Sequence, residues 1–400
     1  MIQEIPKGNS LLVKGPTRVE LLKGQIEVFG KPITAKKGAT DNVLIVPSAN
    51  NYPLFAVTNA KLEIFTANKD NLELIEENTI INEWIKLKDT LLKEIQKEGN
   101  KPIKIMVLGV SSGKTSIIKY LANNFIREGL KVGYLDSDLG QQIMHLPTTL
   151  SIGEIKDYVV SSADIEAEET IFIGSTYPKG SYKFICSHFC NNLIKNYEET
   201  HEDTDVILID SDGWIKTEAG IIYKNFFIDT LNPDVLLIFH DEEIEELKEI
   251  EDNAAKVKKR KIILLNEKNK YFYEKGKEER RFMRQSQFAK VLESFRKISI
   301  PLDGIQFYKT EYDKENDTII EREINIHELV KLPYHYVIIS LMTEDSRMIN
   351  IGLLFVINVE KGYILLFSDL NFKEQKLVKK ILLGSLRLSI KGNHQGYLYL

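Results

Sequence analysis

The spacing of apolar and polar positions changes twice along this chain. Over roughly its first ninety residues, short apolar runs alternate with turn residues, as in Ser10–Val13, Gln25–Phe29, Val43–Val46 and Lys61–Thr66; that pattern predicts a small all-β unit. From Asn78 to Gln96 the period lengthens. Ile80, Ile81, Trp84, Ile85, Leu87, Leu91, Leu92 and Ile95 then fall on an approximately helical stripe, which predicts a linker helix. The polar cluster from Glu98 to Pro102 ends it and leads into the apolar run Ile103–Leu108, where a buried strand is expected.

From there strands and helices alternate. A helix is expected over Thr115–Glu128, and apolar runs follow at Val132–Leu135, Thr170–Ile173, Val206–Ile209, Val235–Phe239 and Ile262–Leu265. That order implies a doubly wound parallel sheet. Beyond about Ile300 strand patterns return, at Tyr336–Leu341, Gly352–Ile357 and Tyr363–Phe367, suggesting a second β unit. The expectation is an α/β protein in three parts: an N-terminal β-sandwich-like domain with its linker helix over 1–96, a P-loop domain with parallel sheet over 97–300, and a C-terminal all-β domain over 301–400. No repeat or low-complexity segment interrupts it.

Composition narrows the classes. With 400 residues, 43% of them hydrophobic and 28% charged, the chain can fill several cores, and no stretch approaches the roughly 20 apolar residues of a membrane span. Met1–Lys7 has neither a basic start before an apolar run nor an Arg-rich leader, so the cytoplasm is the expected compartment. Its two cysteines, Cys186 and Cys190, lie i,i+4, and packing is the expected role because a zinc site usually needs four ligands. The net charge of −5 hides a local asymmetry: between Lys256 and Lys297 there are fifteen Lys and Arg against five acids. That segment is either a phosphate-facing surface or a solvated helix face laced with ion pairs.

The strongest local signal is Leu108-Gly109-Val110-Ser111-Ser112-Gly113-Lys114-Thr115-Ser116, lying between a predicted strand and a predicted helix. Glycines let such a loop curl its N–H groups around phosphates. Lys114 is placed for the β- and γ-oxygens and the Thr115 hydroxyl for Mg²⁺, which makes Gly109–Ser116 the expected nucleotide-binding loop for ATP. The strict pattern has glycine where this chain has Leu108, with Gly109 beside it. Two acids, Asp136 and Asp138, leave the second strand at the sheet edge where ligands of open α/β sheets bind. They suit metal and hydroxyl positioning, or are plain turn residues. The third strand ends in Asp210-Ser211-Asp212-Gly213-Trp214, which makes Asp210 a metal-side candidate and Trp214 either a stacking face for a nucleobase or a core residue.

Together these segments resemble the polynucleotide 5′-hydroxyl kinases that include the messenger-RNA cleavage-factor kinase, the ribosomal-RNA processing kinases and their archaeal relatives. The resemblance spans nearly the whole chain and rests on the P-loop, Asp136-Ser137-Asp138-Leu139-Gly140-Gln141, Phe172–Pro178 and the glycine-tryptophan segment, with Asn59–Thr66 similar to the family's N-terminal β domain. It implies transfer of the ATP γ-phosphate to a 5′-hydroxyl end of RNA or DNA. Asp138 would then act beside the attacking hydroxyl, Asp136 on the metal side with Thr115 and Asp210, and Gln141, Ser211, Gly213 and Trp214 against the substrate. An arginine-bearing lid is implied at Lys275–Arg284, with Arg280 and Arg284 closing over the triphosphate, although lysine at 275 stands where the family's first lid arginine would fall.

An alternative reading is an ATP-loaded scaffold for an RNA-processing protein partner with little kinase activity, which Lys275 and Leu108 favour because lysine cannot grip phosphate in the bidentate way of arginine. A GTPase or partner-delivering ATPase of similar fold is a third reading, but Asn266-Glu267-Lys268-Asn269 lacks the pattern that selects guanine.

Overall fold

The alternating first segment folds as strands whose inward positions are buried and outward ones wet. Asn51–Ala56, for instance, alternates half-buried and buried residues along its length. The computed structural model describes residues 1–35, 42–97, 102–110, 113–267, 269–271 and 275–399. Among these, a four-stranded antiparallel sheet runs in the order Ile2–Ile5, Ala60–Thr66, Thr17–Lys23, Val43–Val46, and a five-stranded one in the order Lys31–Thr34, Gln25–Val28, Asn51–Ala56, Ser10–Lys14, Leu72–Ile75. Val19, Leu44, Leu62 and Ile64 from the first share one apolar core with Leu11, Val13, Val28 and Leu54 from the second, so the sheets pack face to face. The predicted linker helix is Asn82–Ile95, burying Trp84, Leu87, Leu91 and Ile95 along one face.

The parallel sheet follows. Its order is Val132–Asp136, Val206–Asp210, Ile103–Leu108, Val235–Phe239, Lys261–Leu265. Ile103–Leu108 pairs in parallel with a strand on either side, Val107 lying opposite Asp210 and Leu108 opposite Ile238. Every residue of Val206–Asp210 and Val235–Phe239 is buried, as strands covered on both faces require. The strand order reverses at Ile103–Leu108, and the loop following that strand sits at the switch point.

The described residues form two compact units that interleave in sequence. The first comprises Met1–Leu135, Gly153–Glu166 and Tyr197–Arg280, and the second Asp136–Ile152, Ala167–Asn196 and Arg281–Leu400. In the second unit, Thr149 to Ile152 pair antiparallel with the strand Glu169–Phe172, and an eight-stranded sheet runs Arg296–Pro301, Tyr363–Ser368, Met348–Asn358, Val337–Met342, Lys380–Leu388, Gln306–Asp313, Thr318–Glu323, with His394–Tyr397 beside Lys380–Leu388. Val337, Ile339 and Leu341 face one apolar cluster with Leu329 and Tyr334. Ile338 and Met342 face another, with Leu146, Phe172 and Phe288. This sheet is therefore buried on both sides, the second by residues from the middle of the chain. Cys186 and Cys190 are fully buried on the helix Tyr182–Thr200, while His188 on that helix meets Asp317 at 3.0 Å.

Two backbones come close where the Gly174–Pro178 segment crosses Lys380–Leu388. The Gly174 carbonyl accepts the N–H groups of Ser385 and Leu386 at 2.8 and 2.9 Å. Gly174 has φ +75°, and a Cβ there would stand 2.2 Å from the Gly384 Cα. Gly174→Ala should therefore lower stability by at least the ~1–3 kcal/mol typical of overpacking. Urea unfolding measures this, and an unchanged midpoint would mean the two backbones part readily.

Candidate functional site

The P-loop starts where the central strand ends. Gly109, at φ +155°, and Gly113, at φ +87° and N-capping the helix Lys114–Arg127, take conformations that a side chain would oppose. The helix N-terminus thereby presents its N–H groups at the sheet edge, a ready site for anions. Leu108 is fully buried as the last residue of its strand, and the turn glycine's task falls to Gly109. Lys114 Nζ donates to the Gly109 carbonyl at 2.7 Å, across the loop. Ser111 and Ser112 lie outside the described residues; Ser116 donates its N–H to the Gly113 carbonyl at 2.9 Å.

Parallel register carries Asp210 to this loop. Thr115 Oγ1 donates to Asp210 Oδ2 at 2.7 Å, and Tyr134 OH reaches the same oxygen at 3.3 Å. Burial pushes the Asp210 carboxyl above its usual range, opposed by Lys114, Thr115, Tyr134 and Lys119. A hydroxyl beside a buried carboxylate is a hard-oxygen pair of the kind Mg²⁺ takes at phosphate sites. One residue on, Ser211 Oγ donates to the Val107 carbonyl at 2.8 Å, tying the loop after the third strand to the central strand. An added Cβ on Gly213 would lie 3.6 Å from the Gly109 carbonyl oxygen and 3.7 Å from Lys114 Nζ, so the glycine-tryptophan loop runs against the P-loop. Trp214 is half-buried, its ring 5.9 Å from that of Tyr223.

In the second unit, Asp136 and Asp138 organise the turn after the second strand. Asp136 Oδ1 accepts the Asp138 N–H at 3.2 Å and Oδ2 the Ile143 N–H at 3.4 Å; Asp138 Oδ1 accepts those of Gly140 and Gln141 at 3.0 and 3.1 Å. The two acids thus do the work of turn residues, which leaves a chemical role compatible. Gln142, which no sequence motif marks, is fully buried and accepts the Met144 N–H at 2.7 Å. Gln141 Nε2 donates to the Gly140 carbonyl at 2.8 Å. A Cβ on Gly140 would come within 3.1 Å of the Thr176 carbonyl oxygen, so this turn rests on the Gly174–Pro178 segment.

Arg280 and Arg284 both lie on the helix Lys277–Leu292, where Arg280 donates its N–H to Gly276 O at 3.1 Å. Arg280 belongs to the first unit and Arg284 to the second. The site residues therefore divide: the P-loop, Asp210, Ser211, Gly213 and Trp214 come together in the first unit, and Asp136, Asp138, Gln141 and Arg284 belong to the second.

The P-loop helix also meets the N-terminal sandwich through polar groups four residues apart. Lys119 Nζ lies 5.4 Å from the Phe29 ring centre and 5.9 Å from that of Tyr52. Asn123 Nδ2 donates to the Phe29 and Val159 carbonyls, both at 2.8 Å, and Arg127 binds the Gly30 carbonyl at 2.5 Å and Glu27 at 2.8 Å. Lys275 Nζ reaches Asn50 Oδ1 at 3.4 Å. Burial, with Lys275 nearby, holds the Lys119 amine down to about 8 despite Asp210 and Asp164; burial likewise brings Lys275 to about 8, Arg280 adding to it and Glu279 opposing.

A nucleotide-phosphate loop at the switch point of a parallel sheet, with a hydroxyl and a buried carboxylate beside its lysine, defines a P-loop nucleotide-binding protein. Residues 109–294 of this chain match the family model described as "mRNA cleavage and polyadenylation factor CLP1 P-loop". Its homologues include the polyribonucleotide 5′-hydroxyl-kinase of Methanocaldococcus jannaschii, 26% identical over 348 residues that cover 76% of this chain and 91% of that one. The Pyrococcus abyssi protein of the same name is 29% identical over 51% of this chain and 55% of its own. A solved structure of Clp1p in complex with Pcf11p shares the fold, with a TM-score of 0.72 at 15% identity over 97% of both chains. The family resemblance and the fold class read from the sequence are borne out.

Lys119 and Lys275 give the site a pH signature. Their folded pKa of about 8 lies below the ordinary 10.5, so between those values the unfolded chain binds more protons and stability should rise with pH; the penalty is fully present below pH 8. Urea midpoints of nucleotide-free protein between about pH 7 and 9.5 should climb in wild type and climb less in Lys119→Met/Lys275→Met. Identical slopes would show that both amines are ordinary.

Proposed function

We propose that this chain transfers the γ-phosphoryl group of ATP to the 5′-hydroxyl end of a polynucleotide, RNA or DNA. The observation that carries this reading is the Thr115–Asp210 hydrogen bond beside Lys114, with the Trp214 loop laid against the same P-loop. A triphosphate at the helix N-terminus would be neutralised by Lys114. Thr115 and Asp210 are the residues to hold Mg²⁺, which supplies charge neutralisation at the phosphate oxygens, with Asp136 on the metal side as the resemblance implies.

The substrate's 5′-oxygen forms a bond to the γ-phosphorus as the bond to the β,γ-bridging oxygen breaks, ADP leaves, and the hydroxyl proton passes to Asp138. Little covalent work falls to the protein, so positioning and electrostatics supply the catalysis. Ser211, Gly213, Trp214 and Gln141 are assigned to the terminal nucleotide, and Arg280 and Arg284 to the lid. The named function of the archaeal relatives supports this reading, and the cytoplasm is its compartment; among the described residues no helix is long and apolar enough to cross a membrane.

A second reading is an ATP-holding scaffold for an RNA-processing partner. It is favoured by Lys275, an amine held near 8 where the resemblance expects an arginine, since such a group brings less charge to a phosphoryl transition state.

Transfer of labelled γ-phosphate from ATP to matched 5′-hydroxyl RNA and DNA oligonucleotides separates the two. Label should appear with wild type and vanish with Lys114→Ala; ATP binding without transfer would favour the scaffold. Asp138→Asn should keep ATP affinity while transfer falls by about 10²–10⁴-fold, and an unaltered rate would reassign the base. Trp214→Ala should raise the oligonucleotide KM more than the ATP KM; equal effects would make the indole a packing residue.

A further inference from the structure

The helix Glu218–Leu231 buries Gly220, Tyr223, Lys224, Phe227, Ile228 and Leu231. In that apolar stripe Lys224 is the anomaly, a fully buried ammonium where a leucine would pack without penalty. Its Nζ stands 2.9 Å from Asp212 Oδ2 and above two aromatic faces, 4.6 Å from the Tyr223 ring centre and 5.6 Å from that of Phe227. The second Asp212 oxygen, Oδ1, accepts the Trp214 N–H at 2.8 Å. The helix thus reaches the glycine-tryptophan loop twice, once through the ion pair and once through the Tyr223 ring beside the Trp214 indole.

We propose that Lys224 is a positioning residue for the polynucleotide substrate, fixing through the Asp212 carboxylate the loop that carries Trp214. The inference rests on the reading of that loop as the substrate clasp. Charge explains why a lysine is used. Asp212 lies two residues from Asp210, in a loop that also approaches Lys114. A carboxylate left uncompensated there would be drawn to Lys114 or to a metal ion. Paired with Lys224, it is turned towards the helix and its other oxygen holds the Trp214 backbone. Asp210 and Asp212 then divide the work, one at Thr115 and one on the loop.

Losing either partner alone would leave a lone buried charge and risk unfolding, so the test removes both. Asp212→Ala/Lys224→Met deletes the ion pair and the Trp214 acceptor, while Asp212→Asn/Lys224→Met deletes the pair and keeps an acceptor oxygen. The Ala/Met protein should bind ATP as wild type does and show an oligonucleotide KM raised about 10-fold or more, and the Asn/Met protein should recover part of it. A merely structural pair would lower thermal stability in both without splitting KM from ATP affinity.

Trp214 reports independently of activity. In a Trp84→Phe background, acrylamide quenching should rise in the Ala/Met protein and fall back in the Asn/Met protein. Unchanged KM and quenching in the Ala/Met protein, or equal loss of ATP and oligonucleotide affinity, would overturn the proposal. Should wild type transfer phosphate to no oligonucleotide, the kinase reading falls. Quenching and equilibrium binding of a 5′-hydroxyl oligonucleotide then decide the loop: a rise in quenching with weakened binding supports the role of Lys224, and no change in either refutes it.

Discussion

A carboxylate buried at the end of a central strand must be compensated, and the candidate site is built around the groups that compensate Asp210. Its Oδ2 receives the Thr115 hydroxyl and lies near the Tyr134 phenol, so the P-loop helix, the second strand and the third strand are tied at one atom. The arrangement depends on parallel register. Val107 pairs with Asp210, and a slip by one residue would turn the carboxylate to the other face of the sheet. The Ser211 hydroxyl on the Val107 carbonyl secures the same alignment one residue further on.

The first unit concentrates positive charge where it is costly to bury. Lys119 and Lys275 both carry amines held near 8, and aromatic faces of the N-terminal sandwich stand in for water at Lys119. The N-terminal sandwich has a defined part in this, because Phe29, Gly30 and Glu27 receive the Lys119, Asn123 and Arg127 side chains of the P-loop helix.

Carboxylates close together in sequence have different partners. Asp210 meets a hydroxyl at the phosphate loop, Asp212 a buried ammonium, and Asp136 and Asp138 the N–H groups of their own turn. Partner and burial, more than residue type, decide what each can do, since an opposite charge, a hydroxyl and a backbone N–H hold a carboxylate in different geometries.

Local signals reached far into this protein. Strand runs, the linker-helix stripe and the glycine-lysine-threonine loop follow from short-range periodicity and backbone sterics, and so the three kinds of layer and the P-loop were legible in the order of residues. The 119, 123, 127 stripe was not, because polar residues four apart on a helix look the same whether they face water or another domain's carbonyls. Nor was the buried pairing of Lys224 with Asp212, since in sequence Lys224 is one more charged residue on a helix. The C-terminal sheet's second covered face was equally hidden, since Leu146, Phe172 and Phe288 come from distant segments. The sequence by itself determined which elements form and where the P-loop falls, because those depend on neighbours along the chain. Tertiary structure alone decided which buried charge meets which partner, because such pairing is set by distances across the fold, which no local pattern encodes.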